Sequence, residues 1–190
     1  MGTQVILASA SPRRRELLKR WLDEYTVLPA DIDETLPEGM PVSEGPGYLA
    51  LHKARHLAEK YPEALVIGCD TGVMIDGRML GKPRDRSEAR QMLEELSGRM
   101  HQVVTGCCLC YQGREDVFQD VTLVEMYPLS AAEIESYLDT GEYADKAGSY
   151  GIQGKGALLV RQIQGDYYNV MGLPIARLAR EATRFLLSEE

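Results

Sequence analysis

Cations are the scarcer charge in this chain: 21 lysines and arginines stand against 29 aspartates and glutamates, a formal net charge of −8. That balance excludes a general binder of nucleic acid or anionic membrane, whose surface would carry the opposite sign. It also makes any local cluster of cations informative. No apolar run approaches the ~20 residues of a membrane-spanning helix. Met1-Gly2-Thr3-Gln4 has no basic segment leading into a long apolar stretch, so a cytoplasmic location is expected, and Gly2 is a slight acylation cue. The only cysteines are Cys69, Cys107, Cys108 and Cys110. A structural zinc site usually needs two separated ligand pairs. Only one cluster exists here and it lies in a strand-like run, so these read as reduced, buried, small apolar side chains. Repeats, low-complexity segments and linkers are missing too, and residues 1–190 read as a single domain. There is no Gly-x-x-x-x-Gly-Lys-Ser/Thr loop and no dinucleotide-binding fingerprint following a strand and opening a helix.

What is present begins at Ser9-Ala10-Ser11-Pro12-Arg13-Arg14-Arg15. The apolar Val5-Ile6-Leu7-Ala8 reads as a buried strand running into it, and Leu17, Leu18, Trp21 and Leu22 recur behind it at helical spacing. Ser11 suits the N-cap and Pro12 the first helical position. Three cations at a helix start oppose the helix dipole, each costing ~0.3–1 kcal/mol unless offset. A bound anion would offset them, drawing on free N–H groups, serine hydroxyls and guanidinium forks.

Further along, the pattern predicts a strand at Tyr25–Pro29, an acidic loop at Asp31-Ile32-Asp33-Glu34 and a helix from about Gly47 to Tyr61. That helix carries His52 and His56 four residues apart. Lys53 stands where a metalloprotease helix has its glutamate, so the histidines read as partly exposed helix residues. Leu65–Cys69 reads as a strand with Asp70 and Thr71 at its C-terminal end, the place where α/β sheets hold ligands. A hairpin turning at Asp76-Gly77 leads to Gly81-Lys82-Pro83. Ser87 is the expected cap of the next helix. Two long strands, His101–Tyr111 and Val117–Met126, meet at Gln112-Gly113. Ser130 and Glu133 form a capping box. Asp145–Gly156 is a glycine-rich loop, Ala157–Ile163 a strand, Gly165–Asn169 a turn, and Pro174 opens a last helix. Helices alternate with strands and several strands form hairpins, which implies an α/β fold with a mixed sheet.

Arg13, Arg14, Glu34, Asp70 and Lys82 fall at element ends rather than on element faces, with Lys53 and Lys146 as further candidates. Carboxylates beside lysines and arginines on loop ends suit a polyphosphate with a divalent cation: the carboxylates hold metal or activate water, and the cations neutralise phosphate oxygens.

Leu7-Ala8-Ser9-Ala10-Ser11-Pro12-Arg13-Arg14 resembles the signature of the Maf family of nucleotide pyrophosphatases. The likeness continues through Asp31-Ile32-Asp33-Glu34, Lys53-Ala54, Asp70-Thr71, Gly81-Lys82-Pro83, His101-Gln102-Val103-Val104-Thr105-Gly106, Asp145-Lys146-Ala147-Gly148, Tyr150-Gly151-Ile152-Gln153-Gly154 and Asn169-Val170-Met171-Gly172-Leu173-Pro174. The resemblance implies a fold like that of the inosine triphosphate pyrophosphatases: a long mixed β-sheet flanked by helices, two lobes and a central cleft. It implies hydrolysis of a nucleoside triphosphate to monophosphate and pyrophosphate with Mg²⁺ or Mn²⁺, in a homodimer. By that resemblance Asp70 is the proton acceptor, Glu34 holds metal with Asp70 or positions water, and Ser9, Arg14, Lys53 and Lys82 surround the polyphosphate. Arg13, Thr71 and Gln153 fall at positions tied to substrate choice, and the Gly-Ile-Gln-Gly loop resembles the dTTP/UTP branch. A carboxamide at Gln153 can donate and accept at once, which suits the imide edge of thymine or uracil. Alternatives are another modified nucleotide as substrate, or a non-catalytic nucleotide-binding regulator of septum formation. Two departures from the family pattern are Gly72 and Tyr143.

Overall fold

A computed structural model describes residues 3–188. Met1 and Gly2, where the acylation cue falls, lie outside the described residues. Strand β1, Val5–Ala8, leads through the Ser9–Ser11 loop into helix α1, Pro12–Leu18. A two-residue strand β2, Thr26–Val27, follows, and helix α2 spans Gly45–Ala58. Strand β3, Leu65–Ile75, turns into β4, Arg78–Leu80. After helix α3, Arg86–Leu96, the long strands β5, Met100–Tyr111, and β6, Arg114–Met126, form a hairpin. Helix α4, Ala131–Leu138, strand β7, Val160–Gln164, and helices α5, Tyr167–Met171, and α6, Ile175–Leu187, complete the chain. Among the described residues seven strands make one mixed sheet in the order β2-β1-β3-β5-β6-β7, with β4 on β3.

Alternation along β3 decides what each face carries. Leu65, Ile67 and Cys69 pack with Cys107 and Leu109 against Leu17, Leu18, Leu178 and Phe185 of α1 and α6. Val73 and Ile75, further along the same face, join Leu93, Leu96, Ile134 and Leu138 of α3 and α4. These two apolar clusters lie toward opposite ends of β3 on one face of the sheet. The opposite face of the sheet, through Val66, Cys108 and Cys110, takes Ala50, Ala54 and Leu57 of α2. All four cysteines are buried, as the strand-like pattern predicts. Helix α2 lies very close to the sheet because Gly68 and Gly106 have no side chain: a Cβ on Gly68 would stand 2.1 Å from the Ala50 carbonyl oxygen, and one on Gly106 2.3 Å from the backbone of Pro46.

The main difference from the sequence reading is the length of β3. It does not stop at Cys69. It continues through Asp70 and Thr71, because antiparallel pairing with β5 runs unbroken from Val66↔Cys110 to Met74↔Gln102. On its other side β3 pairs with β1 only as far as Ala8↔Gly68, and with β4 only from Val73↔Leu80 onward. Residues Cys69–Gly72 therefore have an open edge between two neighbours that stop short. Asp70 and Thr71 stand beyond the C-terminal end of β1, not of their own strand.

Other differences are local. Asp85, not Ser87, caps α3, its Oδ1 accepting from the Glu88 N–H at 2.8 Å. Helix α1 ends at Leu18, yet Trp21 and Leu22 still pack on the core from the following turn. Strand β2 is shorter than expected. The expected strand from Ala157 begins instead at Val160, since Gly154–Leu158 is a 3₁₀ segment. The expected turn at Gly165–Asn169 contains helix α5, whose N-cap Asp166 accepts from the Tyr168 N–H. The Ser130–Glu133 capping box, the Asp76-Gly77 and Gln112-Gly113 turns, and the last helix after Pro174 form as predicted.

Candidate active site

The open edge of β3 forms the floor of a cavity of about 650 Å³, lined by all nine of the site residues singled out from the sequence: Ser9, Arg13, Arg14, Glu34, Lys53, Asp70, Thr71, Lys82 and Gln153. That volume is within the range of small-molecule sites. The residues arrive from the β1–α1 loop and the first turn of α1, the acidic loop, α2, β3, the segment after β4, and the glycine-rich loop.

Asp70 faces α2, and its Oδ1 accepts from Lys53 Nζ at 2.6 Å. The same ammonium lies 2.7 Å from Glu34 Oε1. Lys53 is 9% exposed, and a buried cation needs charged partners to be tolerated. Here it has two, so one lysine ties the acidic loop and β3 to a single point. The close seat of α2 on Gly68 and Gly106 brings Lys53 within reach. Lys82 lines the cavity from an exposed position and makes no salt bridge among the described residues.

The three arginines separate. Ser11 caps α1, accepting from the Arg14 N–H at 3.4 Å. Arg14 turns back over the floor: Nε donates to the Gly172 carbonyl oxygen at 2.8 Å, Nη1 to Ser9 Oγ at 3.2 Å and Nη2 to Thr71 Oγ1 at 2.8 Å. Arg13 crosses the mouth to Asp145, Nη1 to Oδ2 at 3.0 Å, and Asp145 Oδ1 accepts from Lys146 Nζ at 2.8 Å. Burial works to raise the Asp145 pKa, but the Lys146 and Arg13 cations outweigh it and hold the carboxyl below its usual range. Arg15 is exposed. The unfavourable cations at the helix start are thus offset in part by oxygen atoms of the protein itself.

The glycine-rich loop has its own clamps. Glu142 accepts from the Lys155 and Gly156 N–H groups. The Tyr137 hydroxyl accepts from the Gly151 N–H at 3.3 Å. Buried Tyr150, which lines the cavity, meets buried His101 Nε2 at 2.6 Å. Burial drives His101 down to about 4 and lifts Tyr137 to about 12, so both are neutral at physiological pH. A Cβ on Gly156 would stand 2.0 Å from the Gly151 carbonyl oxygen, so this glycine lets the loop fold onto itself just after Gln153. Gln153 is exposed at the cavity rim.

The description of a Maf-like protein matches residues 4–185 of the sequence. The chain belongs to the Maf family. Proteins named dTTP/UTP pyrophosphatase are close relatives: that of Halalkalibacterium halodurans is 48% identical over 176 residues, 93% of each chain. That of Bacillus velezensis is 47% identical over 185 residues, 97% of this chain and 98% of the relative. Among solved structures, the Staphylococcus aureus Ham1 protein aligns with a TM-score of 0.55 at 17% identity, over 99% of this chain and 100% of that one. A HAM1 protein from Coxiella burnetii gives 0.53 at 20% identity over 96% and 100%. At such identities the likeness is one of fold: this Maf chain shares the mixed sheet and flanking helices of the Ham1 proteins.

The two departures from the Maf pattern have local partners. A Cβ on Gly72 would lie 2.6 Å from Met79 Sδ, so the small residue on β3 and the long one on β4 fill one space. Tyr143 packs against the α3–α4 cluster. His101, Thr105, Tyr137 and Glu142 carry no local signal of a role at the site in the sequence. Each is polar in a run that reads as strand, helix or loop, and only the three-dimensional partners give it a purpose. His52 and His56 are half-buried on α2; His56 meets Lys60 and His52 stacks on Tyr48.

Proposed function

We propose that this protein hydrolyses dTTP and UTP to the nucleoside monophosphate and pyrophosphate, with water attacking the α-phosphorus. The family, the names of its close relatives and the chemistry of the cavity support the reading together. The observation that carries it is the convergence of Asp70 and Glu34 on Lys53 in a cavity also lined by Arg13, Arg14, Lys82 and Lys146. Lys53 is held by Asp70 and Glu34, and Arg13 and Lys146 by Asp145. Among the described residues, Arg14 and Lys82 are thus the cavity cations left without a carboxylate partner to answer the charge of a triphosphate, with Asp70 and Glu34 beside them for water and metal.

Asp70 is the proton acceptor. Its Oδ1 is held by Lys53, which leaves Oδ2 to receive the proton of an attacking water. Lys53 fixes the carboxylate on a rigid strand, so the base is oriented before substrate arrives. Glu34, more exposed on its loop, shares that anchor and positions the water. Arg14, Ser9 and Lys82 meet phosphate oxygens as charge moves onto the pyrophosphate. Arg13, Thr71 and Gln153 choose the substrate, Gln153 by pairing with an imide edge whose loss would leave a carboxamide unmatched.

A divalent cation fits this donor set. Magnesium and manganese are commonly held by one or two carboxylates, with substrate phosphates and water completing the shell. Glu34 and Asp70 would hold it, and among the described residues no group of three or more His, Cys, Asp or Glu forms a closed cage. When bound it would neutralise phosphate oxygens as a Lewis acid.

Purified protein assayed with Mg²⁺ or Mn²⁺ against a panel of nucleoside triphosphates tests the reading. Monophosphate and pyrophosphate are expected from dTTP and UTP, and Asp70→Asn should keep the fold while lowering turnover by about 10²–10⁴. Turnover confined to a modified purine would replace the substrate. Binding without any hydrolysis would favour a nucleotide-binding regulator.

A further inference from the structure

Thr71 and Thr105 face each other across β3 and β5, their hydroxyl oxygens 2.9 Å apart. Thr105 is fully buried, while Thr71 is half-buried and lines the cavity. Distance alone leaves open which hydroxyl donates to the other, but the groups at the two ends decide it. At the inner end Thr105 Oγ1 lies 3.0 Å from the Asn169 carbonyl oxygen, which can only accept. Without a proton between them two lone pairs would oppose each other in the interior, so the Thr105 proton lies on that line. The Gly172 N–H occupies the carbonyl's other lone pair at 2.9 Å. At the outer end the Arg14 guanidinium, which can only donate, gives Nη2–H to Thr71 Oγ1 at 2.8 Å. Thr105 therefore has a lone pair free toward Thr71, and the Thr71 proton fills it. The chain of bonds runs one way, from Arg14 through Thr71 and Thr105 to the Asn169 carbonyl.

Direction has a chemical consequence at the cavity wall. Thr71 Oγ1 takes one hydrogen bond, gives its proton inward, and presents a single lone pair and no proton to a ligand. The oxygens of an ionised triphosphate are acceptors and gain nothing from it. The donors of dTTP lie at its other end: the sugar 3′-hydroxyl and the base N3–H. We infer that Thr105, which touches no ligand, is a positioning residue that makes Thr71 an obligate acceptor, and that Thr71 marks the nucleoside end of the cavity by receiving one of those two donors. The inference rests on dTTP and UTP being the substrates.

Thr105→Val removes the acceptor for the Thr71 proton and frees that proton to turn into the cavity; Thr105→Ser keeps it. kcat/KM is measured for the wild type and both variants on dTTP, on its 3′-deoxy analogue and on 5-methyl-dCTP, whose N3 accepts instead of donating. In the wild type, the analogue lacking the donor that Thr71 receives should be disfavoured by about tenfold through that contact, and its identity names the donor. Thr105→Val should shrink that one preference about fivefold or more, while Thr105→Ser stays within about twofold of wild type. Contacts from Gln153 are common to all three proteins and cancel in the comparison. Wild-type preferences on both analogues in Thr105→Val overturn the inference. A neutron structure of the wild type reads the same point without substitution: the Thr71 deuteron is expected on the line to Thr105, and one aimed into the cavity overturns the inference. Absence of turnover on dTTP and UTP, with the deuteron on that line, overturns the substrate reading and the nucleoside-end assignment but not the bond direction.

Discussion

Replacing Gly68 by alanine puts a methyl group between β3 and α2, 2.1 Å from the Ala50 carbonyl oxygen and 2.8 Å from the Ala54 nitrogen. Ordinary contact begins at 3.4 Å, so the helix must retreat by about 1.3 Å, the difference between 3.4 and 2.1 Å. Backbone is the obstacle, not the end of a flexible side chain, so the strain belongs at the upper end of overpacking costs, about 3 kcal/mol. A domain of ordinary stability stays folded at that cost. Lys53 precedes Ala54, and its 2.6 Å bond to Asp70 is carried along by the movement. A shift of about 1 Å in positioning groups lowers rates by up to about 10²-fold. The lysine stem can follow part of the way, so a loss of about ten- to a hundredfold in kcat/KM is expected. Chemical denaturation measures the stability, and pyrophosphate release from dTTP measures the rate. Gly113→Ala is the control: it lies at φ +77° in the β5–β6 turn with open space around it, and should cost about 1–2 kcal/mol by backbone strain alone with turnover intact. If Gly68→Ala loses stability and keeps wild-type kcat/KM, then α2 does not position Lys53 for the reaction.

Three further outcomes follow from single features. His101 has an ordinary value near 6.5, and burial lowers it to about 4 in the folded protein. The unfolded chain therefore binds the extra proton first, so this group's effect on stability is complete above pH 6.5 and is lost as pH falls toward 4. At about 1.4 kcal/mol per unit the loss comes to about 3 kcal/mol. Urea unfolding across that window should show a steeper acid decline in the wild type than in His101→Gln; equal slopes would contradict it. Ser130→Ala removes the capping box of α4 and should lower unfolding free energy by about 1 kcal/mol in thermal denaturation. Asp145→Asn removes one charge from the Arg13–Asp145–Lys146 link. It should flatten any pH dependence of KM below the usual carboxylate range, because the wild-type carboxylate keeps its charge, and so this link, to lower pH than a free aspartate.

The nine residues singled out in the sequence all reach one cavity; Arg13, Arg14, Glu34, Asp70 and Lys82 are legible as charges at element ends, whereas the roles of Ser9, Thr71 and Gln153 come with the family resemblance. Arg13 and Arg14 stand where a helix start disfavours cations, and Lys82 ends a hairpin. Asp70 is legible as a charge in an apolar run, but its place within the strand is not. A charge after five apolar residues looks like a strand end. Here it sits mid-strand: pairing with β5 continues past it, while its own side chain meets the cavity and Lys53. Ser87 and Asp85 are equally good caps on paper; the bond from Glu88 goes to Asp85 because the helix starts at Arg86. What the sequence could not show is polar pairing across strands. Thr71 with Thr105, and His101 with Tyr150, lie 34 and 49 residues apart, and nothing in local periodicity links them.

The open edge of β3 acts as a ruler. Four residues at ~3.3 Å each make a window of ~13 Å. It is bounded at one end by the last residue of β1 and at the other by the last residue of β4, with the β3–β5 ladder intact behind it. Lengthening either flanking strand by one paired residue would narrow the window by ~3 Å without touching that ladder. The reach of the ligand the cavity can accept is then set by where two neighbouring strands stop, and two proteins with the same charged residues could differ in ligand size through strand length alone.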